Sequence, residues 1–310
     1  MSLRRALRWG LPVGVSTAIL SFLLARFDLA AVAAQLTGRR VGFLAPALLV
    51  YGAVSLWIEA VTLRRLVVPE GRPLPLGIAA RMKAATYLLN LLHYALGAVG
   101  LATLLRRRVA LPLAEASGVV LLVSVLDLAV VVSLAALGGL LVATRQPLAV
   151  QGGLVAGLVG GGLIGLVWIR RGGLGLLERL RAHPLLRVVR ETPLRVLSEV
   201  AVLRVLFAAV FVVTAGAALA SFGIRVPVAE LVAGLAMAAL VAALPIAVAG
   251  LGTSQAAFVV LFRRWADPQV VLAASLALSA GIILVRAGLG LAFAHEFTRE
   301  ALRARGEQEA

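Results

Sequence analysis

Two apolar runs are interrupted by residues that a lipid-buried helix does not need. Residues 78–104 carry Asn90, His93, Gly97 and Gly100 in their middle, and residues 228–262 carry Pro245, Gly250, Gly252 and Gln255. Proline removes a backbone donor, glycine loosens a helix, and amide or imidazole groups offer hydrogen bonds, so both places read as breaks in otherwise helical segments. The start of a half-helix presents free N–H groups and a positive dipole end, which suits a phosphate-bearing headgroup. Asp127 lies near the centre of another apolar run, where it would cost about 2.5–3.5 kcal/mol on insertion scales. It is therefore expected to face the interior and to be paired or protonated. Arg286 in the last run is the first candidate partner, with Arg204 and Asn90 as rivals. Arg106, Arg107 and Arg108 follow the first break and read as a headgroup-facing basic cluster.

The remaining polar residues weigh less. A lone His93 in the first break is either a hydrogen-bonded packing residue or a proton carrier, while His183 and His295 read as solvated. Glu199 and Arg204 lie five apart, poorly spaced for a same-face helical pair, and read as interface anchors. Cysteine is absent, which excludes disulfides, thiolate metal sites and Cys nucleophiles. With no H-E-x-x-H or paired-acid pattern, the residues give no catalytic motif, no metal site and no cofactor.

Helices must position these groups. Residues of the AVILMFWYC set make up 62% of 310 positions and the mean hydropathy is +1.03, well above the about 45–50% apolar content of globular domains. A span takes about 20 apolar residues, and such runs fall near 10–27, 43–63, 78–104, 117–143, 152–169, 198–222, 228–262 and 268–293. The expectation is an all-α integral membrane bundle, a single transmembrane domain over 1–310 with no soluble domain, divisible into halves 1–150 and 151–310. The N-terminus has the charged and apolar regions of a signal sequence, and Ala31-Val32-Ala33 resembles a cleavage site. Arg26 and Asp28 interrupt that approach, so an uncleaved first span is expected.

The formal charge of +16 would suggest nucleic acid in a soluble protein. Here the arginines sit at the ends of apolar runs, where they set orientation and meet anionic lipid, and no nucleic-acid motif accompanies them. Arg64, Arg65 and Arg72 precede the first broken run and Arg106 to Arg108 follow it. A full crossing would put one cluster outside, whereas a re-entrant hairpin keeps both cytoplasmic. With the second broken run treated likewise, 21 of the 30 basic residues, Lys83 among them, are cytoplasmic. The expected topology is six full spans and two re-entrant hairpins, multi-pass in the cell (inner or plasma) membrane with both termini cytoplasmic.

The breaks lie about 155 residues apart, and interrupted segments at corresponding places in two halves point to a transport site between inverted repeats. Residues 170–197 interleave arginines with Leu and Val, either as an ordinary basic loop or as short amphipathic helices in the headgroup layer; the second reading is preferred. Gly153, Gly157, Gly161 and Gly165 form a four-residue ridge expected to let helices approach closely.

The segment Leu244-Pro245-Ile246-Ala247-Val248-Ala249-Gly250-Leu251-Gly252-Thr253-Ser254-Gln255 resembles the L-P-x-S-x-G-G-L-G-x-x-E signature of the lysylphosphatidylglycerol synthase membrane-region, or flippase-like, family. Members of that family include the membrane portion of the multiple peptide resistance factor. A first family signature, N-x-x-x-P-G-x-x-G-E before a basic cluster, is echoed from Asn90 to Gly97 and by Arg106 to Arg108, and the order continues with Glu115 and Asp127. The resemblance runs from about residue 40 to 293. Tyr94 replaces the family's proline, the first signature's acid is lost near Ala98 to Gly100, and Gln255 replaces the second signature's glutamate. Those losses weaken any mechanism that binds a cationic headgroup, and without the soluble synthase domain lipid aminoacylation is not expected.

The resemblance implies movement of a phospholipid or lipid-linked intermediate between leaflets, with membrane lipids, anionic or carrying a lipid-linked phosphate, as partners. Two other readings stay open. One is a non-catalytic assembly partner of a lipid-modifying enzyme, which the missing carboxylates favour; the other is an intramembrane transferase acting on a polyprenyl phosphate. Homo-oligomers and an enzyme partner are both compatible with the sequence, and nucleic acid is not.

Overall fold

A computed structural model describes residues 34–67, 74–92, 94–142, 148–172, 178–243 and 252–293. The expected first span at 10–27, the Ala31–Ala33 motif, His93, Pro245, Gly250 and His295 lie outside the described residues. Among the described residues the regular structure is helical throughout: α1 Gly38–Val67, α2 Leu76–Leu92, α3 Tyr94–Val109, α4 Leu113–Val142, α5 Leu148–Arg171, α6 Glu178–Arg181, α7 Pro184–Glu191, α8 Leu194–Ser221, α9 Val228–Ala243, α10 Thr253–Phe262 and α11 Pro268–Ala292.

Among the described residues four helices are long and apolar enough to cross a membrane: α1, α4 over Leu113–Gly139, α8 and α11. Their outward faces carry large apolar side chains, with Leu49 66%, Val213 71% and Leu284 71% exposed. Hydrocarbon, unlike water, is a solvent for such faces. The broken runs form shorter pieces. The 17 residues of α2 and 16 of α3 reach about 25 Å each at 1.5 Å per residue, short of the about 30 Å hydrocarbon core. The 16 residues of α9 and 10 of α10 are shorter still. In each pair the two pieces pack on one another.

The chain forms two compact units. One holds Met1–Tyr51, Val131–Val155 and Ala209–Ile283, and so contains the whole of α9 and α10. The other holds Gly52–Val130, Ala156–Ala208 and Leu284–Ala310, with the whole of α2 and α3. In the second unit Leu63, Leu66, Met82, Leu104, Leu105 and Val119 belong to one buried apolar cluster. Three of its helices end on arginines that complement the negative end of the helix dipole: Arg64 and Arg65 on α1, Arg106 to Arg108 on α3, Arg170 and Arg171 on α5.

The basic linker does form short helices. Pro184 opens α7, where its fixed φ and missing N–H cost nothing, and the His183 ring accepts from the Leu185 N–H at 3.3 Å. Arg170 donates to the carbonyls of Val189 (3.2 Å) and Thr192 (2.7 Å) at the other end. Arg187 pairs with buried Glu115 of α4 at 2.6 Å. Its hydrogen bond to Glu191, then the charge of Glu115, raise the Arg187 guanidinium above its ordinary range. At Gly118 a Cβ would lie 2.4 Å from the Leu185 carbonyl oxygen, so glycine is what lets α7 rest on α4.

The glycine ridge behaves differently from expectation. Among the described residues a Cβ on Gly157, Gly161 or Gly165 would meet nothing within 4 Å, and the close approaches fall at other glycines. Gly138 lies against Ala233 and Gly281 against Leu48 in the first unit, and Gly290 against Leu88 in the second. Four-residue spacing marks one helix face but not what covers it.

Candidate functional site: a buried charged cluster

Five helix segments of the second unit bring full charges into its interior. Glu59 of α1 pairs with Lys83 of α2 at 3.1 Å, their side chains 11% and 17% exposed. Tyr87, one turn beyond Lys83 on the same face, donates its hydroxyl to the Glu59 Oε2 at 2.5 Å. The Arg286 guanidinium of α11 stands over the Tyr87 ring, 5.4 Å from its centroid, and its charge also bears on Glu59. Cation–π placement of this kind is attractive and strongest where water is excluded.

Arg204 of α8 is 1% exposed. Its Nη2 donates to the Thr62 hydroxyl at 2.7 Å, its Nη1 lies 3.5 Å from the Asp127 Oδ1, and its Cζ stands over the Phe207 ring, 5.1 Å from the centroid. Thr62 stands one turn beyond Glu59 on α1, so a single helix face serves both halves of the cluster. The charges of Lys83 and Glu59 reach Asp127 as well. Among the described residues the Nε and Nη1 of Arg204 have no hydrogen-bond partner. A buried donor left unmade costs about 1–3 kcal/mol, more where the group is charged.

Three cations and two carboxylates leave one positive charge in excess when all are ionised. Each charge at the centre of a span costs about 2.5–3.5 kcal/mol. Apolar residues of the same volume often serve a fold at least as well as a buried ion pair, so stability gives no reason for five of them here.

The sequence-predicted residues divide between the units. Asn90, Gly97, Gly100, Arg106 to Arg108, Asp127 and Arg286 belong to the second; Gly252 and Gln255 belong to the first. Gly97 and Gly100 are buried in α3. A Cβ on Gly97 would fall 1.6 Å from the Asn90 Oδ1, so the absent side chain is the space that the Asn90 amide uses. Arg106 and Arg107 are exposed and Arg108 is half-buried.

In the first unit Gly252 holds φ at 89° and starts α10, a left-handed conformation that glycine adopts at little cost. Gln255 reaches back to accept from the Gly252 N–H at 2.7 Å and from Ser254 at 3.0 Å, and donates to Ser279 at 3.2 Å. The residue where the family signature has a carboxylate is a helix cap here, with both ends of its amide engaged.

Two sequence readings change. Arg204 is not an interface anchor: ten residues into α8, about 15 Å from its start, it is the buried partner of Asp127 in place of Arg286. Lys83, counted among cytoplasmic basic residues, is drawn inward by Glu59. Glu59 itself was missed, although an acid five residues before Arg64 in an apolar run was the available signal.

Fold and site together define a class, the all-α integral membrane proteins that carry buried charge among their helices. The family described as Lysylphosphatidylglycerol synthase TM region matches residues 9–290, and the chain belongs to it. No curated protein and no solved structure matches the chain. Among the described residues no three of His, Cys, Asp and Glu come together as metal ligands would.

Proposed function

We propose that the protein is a lipid-handling, flippase-like membrane protein whose Glu59–Lys83–Asp127–Arg204–Arg286 cluster receives the headgroup of a phospholipid or lipid-linked phosphate on its way between leaflets. The observation that carries this reading is the fully buried Arg204, which among the described residues has no hydrogen-bond partner on Nε and only an ion pair, at 3.5 Å to Asp127, on Nη1. A phosphate oxygen is the acceptor that a guanidinium fork fits best. An incoming phosphate takes the unfilled donors, and Asp127, its side chain 39% exposed, gives way. The excess positive charge favours anionic over cationic aminoacylated headgroups.

Support for re-entrant hairpins comes from the chain trace. After α1 enters the second unit, α2 and α3 lie wholly in it and α4 starts in it; α8, α9, α10 and α11 repeat this pattern in the first unit. The corresponding topology has six spans, two inverted halves and both termini in the cytoplasm. Family membership points the same way, toward lipid as the substrate class.

The test is translocation of fluorescent anionic, zwitterionic and cationic phospholipids in proteoliposomes. Anionic lipid is expected to move fastest. Arg286→Ala should slow it at least fivefold, while Arg264→Ala, at a side chain 55% exposed, should change it less than twofold. Equal use of all three headgroups, unmoved by these variants, would reject the proposal. A second reading, a non-catalytic partner of a lipid-modifying enzyme, is favoured by the structural use of Gln255; it predicts a copurifying enzyme and no translocation.

A further inference from the structure

A groove of about 310 Å³ opens on the second unit, lined by Val61 and Arg65 of α1 and by Ser198, Glu199, Val202 and Leu203 of α8. Its rim is charged. Glu199 is clamped from two sides, by the Arg65 Nε on Oε2 at 3.3 Å and the Arg195 Nε on Oε1 at 3.2 Å. Neither guanidinium makes another side-chain ion pair or hydrogen bond among the described residues, and both are open, 56% and 90% exposed. The floor is apolar, with Val202 59% exposed. Arg65 stands two residues from the end of α1 and Glu199 five residues into α8, so the rim lies near the helix ends, and Val61, Val202 and Leu203 lie up to a turn deeper.

Several features separate this groove from an ordinary arginine-rich helix end. Arg65 and Glu199 on the rim, with Arg195 beside it, carry one net positive charge, and the shared carboxylate holds the Nε of each guanidinium. The charged rim and exposed apolar floor match, in order and polarity, the phosphate and upper acyl chain of a glycerophospholipid. The volume, at the small end for ligand sites, suits a headgroup and the first part of one chain. On the same two helices Thr62 and Arg204 stand next in sequence to Val61 and Leu203 and belong to the buried cluster.

We infer that this groove is a docking site for an anionic glycerophospholipid of the surrounding leaflet, its phosphate between Arg65 and Arg195 and its acyl chain on Val61, Val202 and Leu203. The inference rests on the lipid-handling reading and adds to it a site outside the buried cluster. The test titrates the purified full chain in detergent with phosphatidylglycerol or phosphatidylcholine and counts bound lipids by native mass spectrometry, with folding checked by thermal unfolding. The double variant Arg65→Gln, Arg195→Gln should weaken the first phosphatidylglycerol binding at least fivefold, and Arg64→Gln, an exposed arginine on the same turn outside the lining, less than twofold. Val202→Trp fills the groove without changing charge, at a position 59% exposed, and should also cost at least fivefold. Equal losses in the Arg64 and double variants, unchanged binding in Val202→Trp, equal retention of phosphatidylcholine, or a polypeptide in place of lipid would each overturn it. Loss of groove binding with Arg286-dependent translocation intact keeps the two sites distinct; normal groove binding without translocation overturns the cluster's role alone.

Discussion

The two interrupted runs look alike in sequence and differ in what surrounds them. Around α9 and α10 the buried polar groups are neutral and satisfy one another: Gln255 serves Gly252, Ser254 and Ser279. The nearest ion pair there, Arg264 with Glu230, is loose at 3.8 Å and more than half exposed on the arginine side. The unit that holds α2 and α3 instead buries Glu59, Lys83 and Arg204 and leaves donors on Arg204 unfilled. A broken run therefore marks where backbone geometry is unusual, while the charge comes mostly from intact helices α1, α4, α8 and α11.

Breaking the contrast at its strongest point gives the largest effect. Asp127→Asn alone should destabilise the protein by about 3 kcal/mol, because it leaves the buried Arg204 charge without its partner, and Arg204→Gln by less, since Asp127 is partly exposed. The double variant should cost less than the sum by about 1–3 kcal/mol, the mark of direct coupling. Thermal unfolding in detergent across the cycle checks this; strict additivity would deny the pairing. Gly97→Ala is next, at about 1–2 kcal/mol, since the new methyl forces the Asn90 amide aside at the usual cost of overpacking. An Asn90→Ala background should remove most of that penalty. Smallest is Gln255→Ala in the neutral unit, about 1 kcal/mol for a lost cap, with headgroup preference unchanged.

Most of the helical architecture was legible because apolar runs and basic punctuation obey length and dipole rules that act locally. The division of the two interrupted runs into α2 with α3 and α9 with α10 was legible for the same reason. The partner of Asp127 was not, since which of several cations reaches a carboxylate inside a span depends on helix rotation and packing across 77 residues of chain. Lys83 misled because its neighbours suggest a helix end, whereas Glu59, 24 residues earlier, decides where its ammonium goes. The glycine ridge has real spacing, but among the described residues nothing lies on Gly157, Gly161 or Gly165, because packing needs an opposing surface that spacing cannot specify.

The central claim is that the charged unit handles the headgroup and the neutral one does not. Initial rates of fluorescent phosphatidylglycerol translocation in proteoliposomes, normalised to folded protein, test it most directly with Arg204→Gln and Gln255→Ala side by side. The account predicts at least a tenfold loss for Arg204→Gln and less than a twofold change for Gln255→Ala. Comparable losses in the two variants, or a wild-type rate with Arg204→Gln, would contradict it.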